Sequence, residues 1–131
     1  MIFETKKVLV CDDQHMLREL LQGAILTHSP YCKVTQASNG KIAEDLLRQE
    51  KFDIVFMDVE MPVQDGFTTL KNIREGNLAE GTPVVMCTGC SDESDLVRGW
   101  QLRADYYLTK PFDLDEISDV LADLMPMRSV A

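Results

Sequence analysis

The sequence predicts one α/β domain built on an open five-stranded parallel sheet, with helices on both faces. Three observations carry this. Short apolar runs recur, each closing on a charged or hydroxyl residue: Val8-Leu9-Val10-Cys11 before Asp12-Asp13, Ile54-Val55-Phe56-Met57 before Asp58, Pro83-Val84-Val85-Met86-Cys87 before Thr88, and Tyr106-Tyr107-Leu108-Thr109 before Lys110-Pro111. Buried parallel strands read as such runs, with ligand groups gathered at their carboxyl ends. Between the runs apolar residues keep helical spacing, so strand and helix alternate. Finally, 131 residues leave room for one core, and no repeat, low-complexity tract or linker interrupts them.

The elements follow in order. After the strand ending at Cys11, the apolar residues Met16, Leu17, Leu20, Leu21, Ala24 and Ile25 keep helical spacing and mark a first helix. Lys33 to Ala37 is a short second strand, and Ser38-Asn39-Gly40 turns into a helix carrying Ile42, Ala43, Leu46 and Leu47. Phe52 to Met57 is the third strand. The loop Met61 to Gly66 leads to a third helix that buries Phe67, Leu70 and Ile73 and ends near Gly76. Thr82 to Cys87 is the fourth strand. Ser91-Asp92-Glu93 opens a fourth helix, with acids suited to its positive end. Ala104 to Leu108 is the fifth strand, and Asp113 caps a last helix carrying Ile117, Val120, Leu121 and Leu124.

Composition narrows the function. Thirteen Lys and Arg stand against 22 Asp and Glu, a net charge of −9. Such acidity argues against direct nucleic-acid binding, which needs clustered Lys and Arg. The apolar runs are too short to span a bilayer, and Met1 to Lys7 lacks a signal peptide's apolar stretch. A cytoplasmic location follows, with the four cysteines as reduced thiols.

Adjacent carboxylates at a strand end repel one another. Taken alone, Asp12-Asp13 reads equally well as a solvated turn capping the first helix. A third acid at another strand end, Asp58, favours a shared site. Hard oxygen ligands suit Mg²⁺, which takes one or two carboxylates and keeps several waters. The three acids against Mg²⁺ and Lys110 make a site near neutrality, where a phosphoryl dianion is tolerable only with the metal.

Lys7-Val8-Leu9-Val10-Cys11-Asp12-Asp13, Phe52 to Pro62 with its D-x-x-M-P pattern, Asp65-Gly66, Thr88, Tyr107 and Lys110-Pro111-Phe112 together resemble the response-regulator receiver domain. The resemblance covers nearly the whole chain, in the family's order and spacing. It implies a single receiver over residues 1–131 with the flavodoxin-like strand order 2-1-3-4-5. Asp58 would take a phosphoryl group from a phosphohistidine of a sensor histidine kinase or histidine phosphotransfer protein. The domain would be a phosphoacceptor assisting its own phosphorylation and dephosphorylation, not an enzyme in the ordinary sense. Asp13, Asp58 and the Glu60 carbonyl would ligate Mg²⁺, and Asp12 would act through a metal-bound water. Lys110, the Thr88 hydroxyl and the Gly89 N–H would bind phosphoryl oxygens. Thr88 and Tyr107 would form the switch, and Lys110-Pro111 would be cis. A bland alternative for Tyr107 is surface packing on an edge strand. The output face would be the fourth helix, fifth strand and fifth helix, where Arg98, Trp100, Arg103 and Tyr106 are residue types frequent at binding hot spots. A downstream effector or a fused output domain would read it. The sequence leaves open whether an output domain follows Ala131, and whether phosphorylation drives dimerisation.

Several positions depart from the family pattern. Glu60 and Cys90 line the mouth of the site. Gly89 stands where Ala is usual. Arg103 replaces a Gly that closes a helix in the left-handed conformation, so that helix ends differently or with strain of about 1 kcal/mol. The last helix has no Arg before Arg128, which weakens the symmetric dimer of receivers joined to winged-helix domains. The rival from another class is a thioredoxin-like redox site at Cys87-Thr88-Gly89-Cys90. It leaves Asp12, Asp13, Asp58 and Lys110 unexplained, and Cys87 reads more simply as core. A degenerate receiver acting only as a binding module is argued against by the intact acid set. His15, His28 and the acids of the last helix read as solvated.

Overall fold

In the computed structural model, which describes residues 2–3, 5–89, 97, 101–126 and 129–130, the apolar runs lie side by side as parallel strands. The strands are β1 (Ile2–Phe3), β2 (Lys7–Cys11), β3 (Lys33–Ala37), β4 (Ile54–Asp58), β5 (Val84–Thr88), β6 (Tyr106–Thr109) and β7 (Ser129–Val130). The helices among the described residues are α1 (His15–His28), α2 (Gly40–Gln49), α3 (Gly66–Glu75) and α4 (Leu114–Leu124). The main sheet runs β3-β2-β4-β5-β6, with every neighbouring pair parallel. Counted without β1, this is the flavodoxin-like order 2-1-3-4-5. The fourth helix expected after Ser91, with Arg98 and Trp100, lies outside the described residues.

Strand alternation explains the two-sided core. Successive side chains point to opposite faces. Val8, Val10, Phe56, Val85 and Leu108 pack with Leu21, Ile25, Ile117 and Leu121 of α1 and α4. Leu9, Val55, Met57, Val84 and Met86 pack with Ala43, Leu47, Phe67, Leu70 and Ile73 of α2 and α3. Every residue of β4 and β5 is buried, so neither strand shows a polar face in sequence. Full burial of each large apolar side chain contributes about 1.5–3 kcal/mol, so these two layers dominate the fold's stability. Asn39, Asp65 and Asp113 cap α2, α3 and α4 through side-chain oxygens that accept from Ile42, Thr68 and Glu116 N–H groups.

Several boundaries differ from the sequence reading. The third to fifth strands begin about two residues later than expected. Pro83 has no N–H and joins the sheet only as an acceptor, from Val55 N at 3.0 Å. Thr82 instead donates its hydroxyl to the Phe52 carbonyl at 2.8 Å. Asp105 meets β5 with its carboxylate, accepting from Val84 N at 2.8 Å. Of the apolar residues that mark the first two helices, Met16 and Leu20 are 73% and 64% exposed, and Ile42 is also exposed. Leu21, Ala24 and Ile25 alone are the fully buried face of α1. The antiparallel β1–β7 pair was not expected, because two residues carry no readable period. Arg103 adopts the left-handed conformation at φ 64, so the strained alternative holds. Its carbonyl accepts from Arg74 Nη2 at 2.8 Å, which helps retain that turn.

Candidate functional site

Parallel register brings the strand ends to one edge. Cys11 is level with Met57, Asp58 with Cys87, and Thr88 with Thr109. Asp12 and Asp13 follow β2, Asp58 closes β4, Thr88 closes β5 and Lys110 follows β6. The Asp12 N–H extends the ladder to the Ala37 carbonyl at 3.1 Å, and the Lys110 N–H donates to the Thr88 carbonyl at 2.6 Å. Lys110-Pro111 is cis, as the resemblance implied.

The three acids do converge. Asp12, Asp13 and Asp58 each offer a carboxylate oxygen, all within 4.8 Å of one another; Asp12 and Asp58 are buried and Asp13 is exposed. Lys110 Nζ reaches Asp12 Oδ2 at 2.9 Å and Asp58 Oδ1 at 3.1 Å. Asp12 Oδ1 accepts from Gln14 N at 2.9 Å, so the helix-start turn of the bland reading exists but occupies one oxygen only. Gln14, not an Asp, is the N-cap of α1. Glu60 is exposed and its carboxylate is not part of the cluster.

Electrostatics follow from crowding. Three carboxylates and one ammonium leave two negative charges unbalanced. Burial pushes the Asp58 carboxyl up to about 6; repulsion from Asp12 adds to this, and Lys110 opposes it. Burial acts to lower the Lys110 ammonium, but the hydrogen bond to Asp12 and the charges of Asp58 and Asp12 outweigh it and raise it. An all-oxygen donor set carrying this excess charge fits a hard divalent cation such as Mg²⁺.

Beside the acids, Thr88 is buried and Gly89 exposed, and a Cβ built on Gly89 would meet nothing within 4 Å. Tyr107, on the edge strand β6, is half-buried and packs against the α2–α3 layer. Cys87 is buried, and burial pushes its thiol up to about 12. An exchange-active thiol needs access and a lowered pKa, so Cys87 is unsuited to redox work; Cys90 lies outside the described residues. His15 and His28 are exposed, as expected.

Two features escaped the sequence reading. Arg18 Nη1 donates to the Asp12 carbonyl at 2.7 Å while its Nε donates to Gln36 at 2.9 Å, tying the acidic turn to β3. Its spacing of six residues from Asp12 was the available signal. The second is a largely apolar cavity of about 820 Å³ between α1 and α4, lined by Leu17, Leu20, Phe112 and Leu114 and bordered also by Asp58 and Lys110.

The family model described as the response regulator receiver domain matches residues 8–122. The chain is 30% identical over 120 residues to the chemotaxis protein CheY of Halobacterium salinarum, covering 92% of this chain and 97% of that protein. It is 39% identical over 126 residues to the alkaline phosphatase synthesis transcriptional regulatory protein PhoP of Bacillus subtilis, covering 96% of this chain. It spans only 51% of that regulator's length. Among solved structures it is similar to a Burkholderia pseudomallei response regulator that carries a phosphorylated aspartic acid, a calcium ion and citrate. That similarity has a TM-score of 0.78 at 25% identity, over 92% of this chain and 66% of that one.

Proposed function

The chain belongs to the response-regulator receiver family, and from that premise we propose that Asp58 is its phosphoacceptor. The donor is a phosphohistidine on a sensor histidine kinase or a histidine phosphotransfer protein. An Asp58 carboxylate oxygen attacks phosphorus, the P–N bond breaks, and an acyl phosphate forms as the imidazole leaves. The observation that carries the assignment is the unequal use of the two buried acids. Both oxygens of Asp12 accept hydrogen bonds, from Gln14 and Lys110. Asp58 accepts only from Lys110, at Oδ1, among the described residues. Its other oxygen is available to attack.

Asp13, Asp58 and the Glu60 carbonyl would hold Mg²⁺, with Asp12 acting through a metal-bound water. When bound, the cation supplies charge neutralisation between the carboxylates and the phosphoryl group. Lys110 moves from pairing with the bare carboxylates to holding a phosphoryl oxygen, and the Thr88 hydroxyl and Gly89 N–H hold the others. The chain positions these groups before reaction, which is where most catalysis of phosphoryl transfer lies. The domain is thus a phosphoacceptor that assists its own phosphorylation and dephosphorylation.

Phosphorylation would draw Thr88 toward the phosphoryl group and Tyr107 inward, biasing a two-state equilibrium over residues 91–112 by about 1–3 kcal/mol. A downstream effector or fused output domain would read that change in the cytoplasm. Among the described residues no helix is long and apolar enough to cross a membrane.

Incubation with acetyl phosphate and Mg²⁺ tests the acceptor chemistry. One phosphoryl mass should appear, require the metal, and be lost to hydroxylamine. Equal incorporation into Asp58→Asn overturns the assignment.

A further inference from the structure

We propose that Glu44, on α2 and outside the acid cluster, is a positioning residue that holds the 59–66 loop in a metal-ready shape through Gln64; this rests on the Mg²⁺ reading above. The loop leaves Asp58 and carries Glu60. Its base is closed by Gly66 N, which donates to the Val59 carbonyl at 2.8 Å. Beyond that base the backbone is strained: Val63 is exposed, β-branched and left-handed at φ 69. Such a conformation persists only when its surroundings over-determine it.

The neighbour that does so is Gln64. Its carbonyl accepts from Gly40 N at 3.2 Å, at the start of α2. Its Nε2 donates to Thr69 Oγ1 at 2.9 Å and to Glu44 Oε1 at 3.3 Å. Glu44 is only 4% exposed, a charged residue on the buried stripe that α2 otherwise makes from Gly40, Ala43 and Leu47. The same oxygen accepts from Asn72 Nδ2 of α3 at 2.9 Å, and Oε2 accepts from Arg48 Nη2 at 2.9 Å. Burial acts against the Glu44 charge, but these donors and Lys41 outweigh it and hold the carboxyl below its ordinary value. A buried, ionised acceptor joins α2, α3 and the loop at one point. Gly40 is part of the same joint, since a Cβ there would lie 1.9 Å from Thr69 Oγ1.

The chemistry of the joint is specific to a carboxylate. An amide in its place offers one acceptor oxygen and a second set of donors facing Gln64, Asn72 or Arg48. Gln64 then loses its anchor, Val63 relaxes, and the Glu60 carbonyl drifts from the position that a cation needs. Outer residues of this kind typically change metal affinity by about 10–100-fold.

The test compares the parent chain with Glu44→Gln, Gln64→Ala, the double variant, and Glu44→Gln carrying Val63→Gly. Mg²⁺ affinity is read from NMR shift titrations well below the melting temperature, and amide exchange of residues 60–65 is read without metal. Both single variants should weaken Mg²⁺ about tenfold, at the low end of outer-shell effects. The double variant should add nothing further, because the two act through one contact. Val63→Gly should restore affinity to Glu44→Gln, since glycine holds the left-handed conformation without strain and needs no anchor to keep it. If Glu44→Gln melts earlier yet binds Mg²⁺ as the parent does, its role is packing alone and the inference fails. Should Glu44→Gln not fold, Gln64→Ala decides on the same terms. If the parent shows no Mg²⁺ shifts, the metal reading fails instead. Loop exchange then decides the anchor by itself: faster exchange in both variants supports it, and unchanged exchange overturns it.

Discussion

Lys110 Nζ lies 3.1 Å from Asp58 Oδ1, joining the ends of two strands that are not neighbours in the sheet. β5 stands between them, and its last residue, Thr88, accepts the Lys110 backbone N–H at 2.6 Å. One lysine therefore couples its charge to Asp58 and its backbone to the strand that ends on Thr88. Lys110→Ala should slow acyl-phosphate formation from acetyl phosphate by about 10²-fold or more at saturating Mg²⁺, the scale for losing one preorganised donor. A rate equal to the parent's would remove Lys110 from the mechanism.

The Asp58 carboxyl also makes stability depend on pH. Its pKa rises from 3.8 to about 6 on folding without metal. The folded chain then binds more protons in that window than the unfolded chain, so this group makes folding less favourable as pH rises through it. Metal-free Asp58→Asn should gain thermal stability over the parent progressively from 3.8 to about 6, and hold that gain at neutrality. Mg²⁺ should narrow the gap by stabilising the parent. A gap independent of pH contradicts the buried, mutually repelling acids.

Two glycines near the site should respond oppositely. A Cβ on Gly66 would lie 2.2 Å from the Asp58 carbonyl oxygen, whereas one on Gly89 meets nothing within 4 Å. Gly66→Ala should cost about 1–3 kcal/mol in chemical denaturation, as overpacking does. Gly89→Ala should stay within about 0.5 kcal/mol. Equal effects would contradict the close approach of α3 to the end of β4.

The site's acids and lysine were legible in sequence because parallel strands place their ends on one edge, so Asp12, Asp58, Thr88 and Lys110 needed only strand assignments to converge. Strand starts were less legible, since ladder pairing at Pro83 and the Asp105 side-chain bond are set by partners remote in sequence. Met16 and Leu20 fit the apolar helical pattern yet stay exposed, because periodicity gives a stripe's direction but not how much of it a neighbouring helix covers. Glu44 was hidden for the converse reason. Flanked by Lys41, Asp45 and Arg48, it reads as solvated, and only α3 and the loop folding over it bury it. Arg103 was legible as a departure because the resemblance supplied the expected glycine, and its left-handed φ of 64 followed.

The central claim is that a P–N phosphoryl donor modifies Asp58 and neither of the neighbouring acids. Phosphoramidate with Mg²⁺, followed by borohydride reduction and peptide mapping, tests it most directly, because reduction converts an aspartyl phosphate to homoserine. Conversion at position 58 alone, absent without Mg²⁺ and absent in Asp58→Asn, is the predicted result. Conversion at Asp12 or Asp13, or none anywhere in a folded, Mg²⁺-loaded parent, would contradict it.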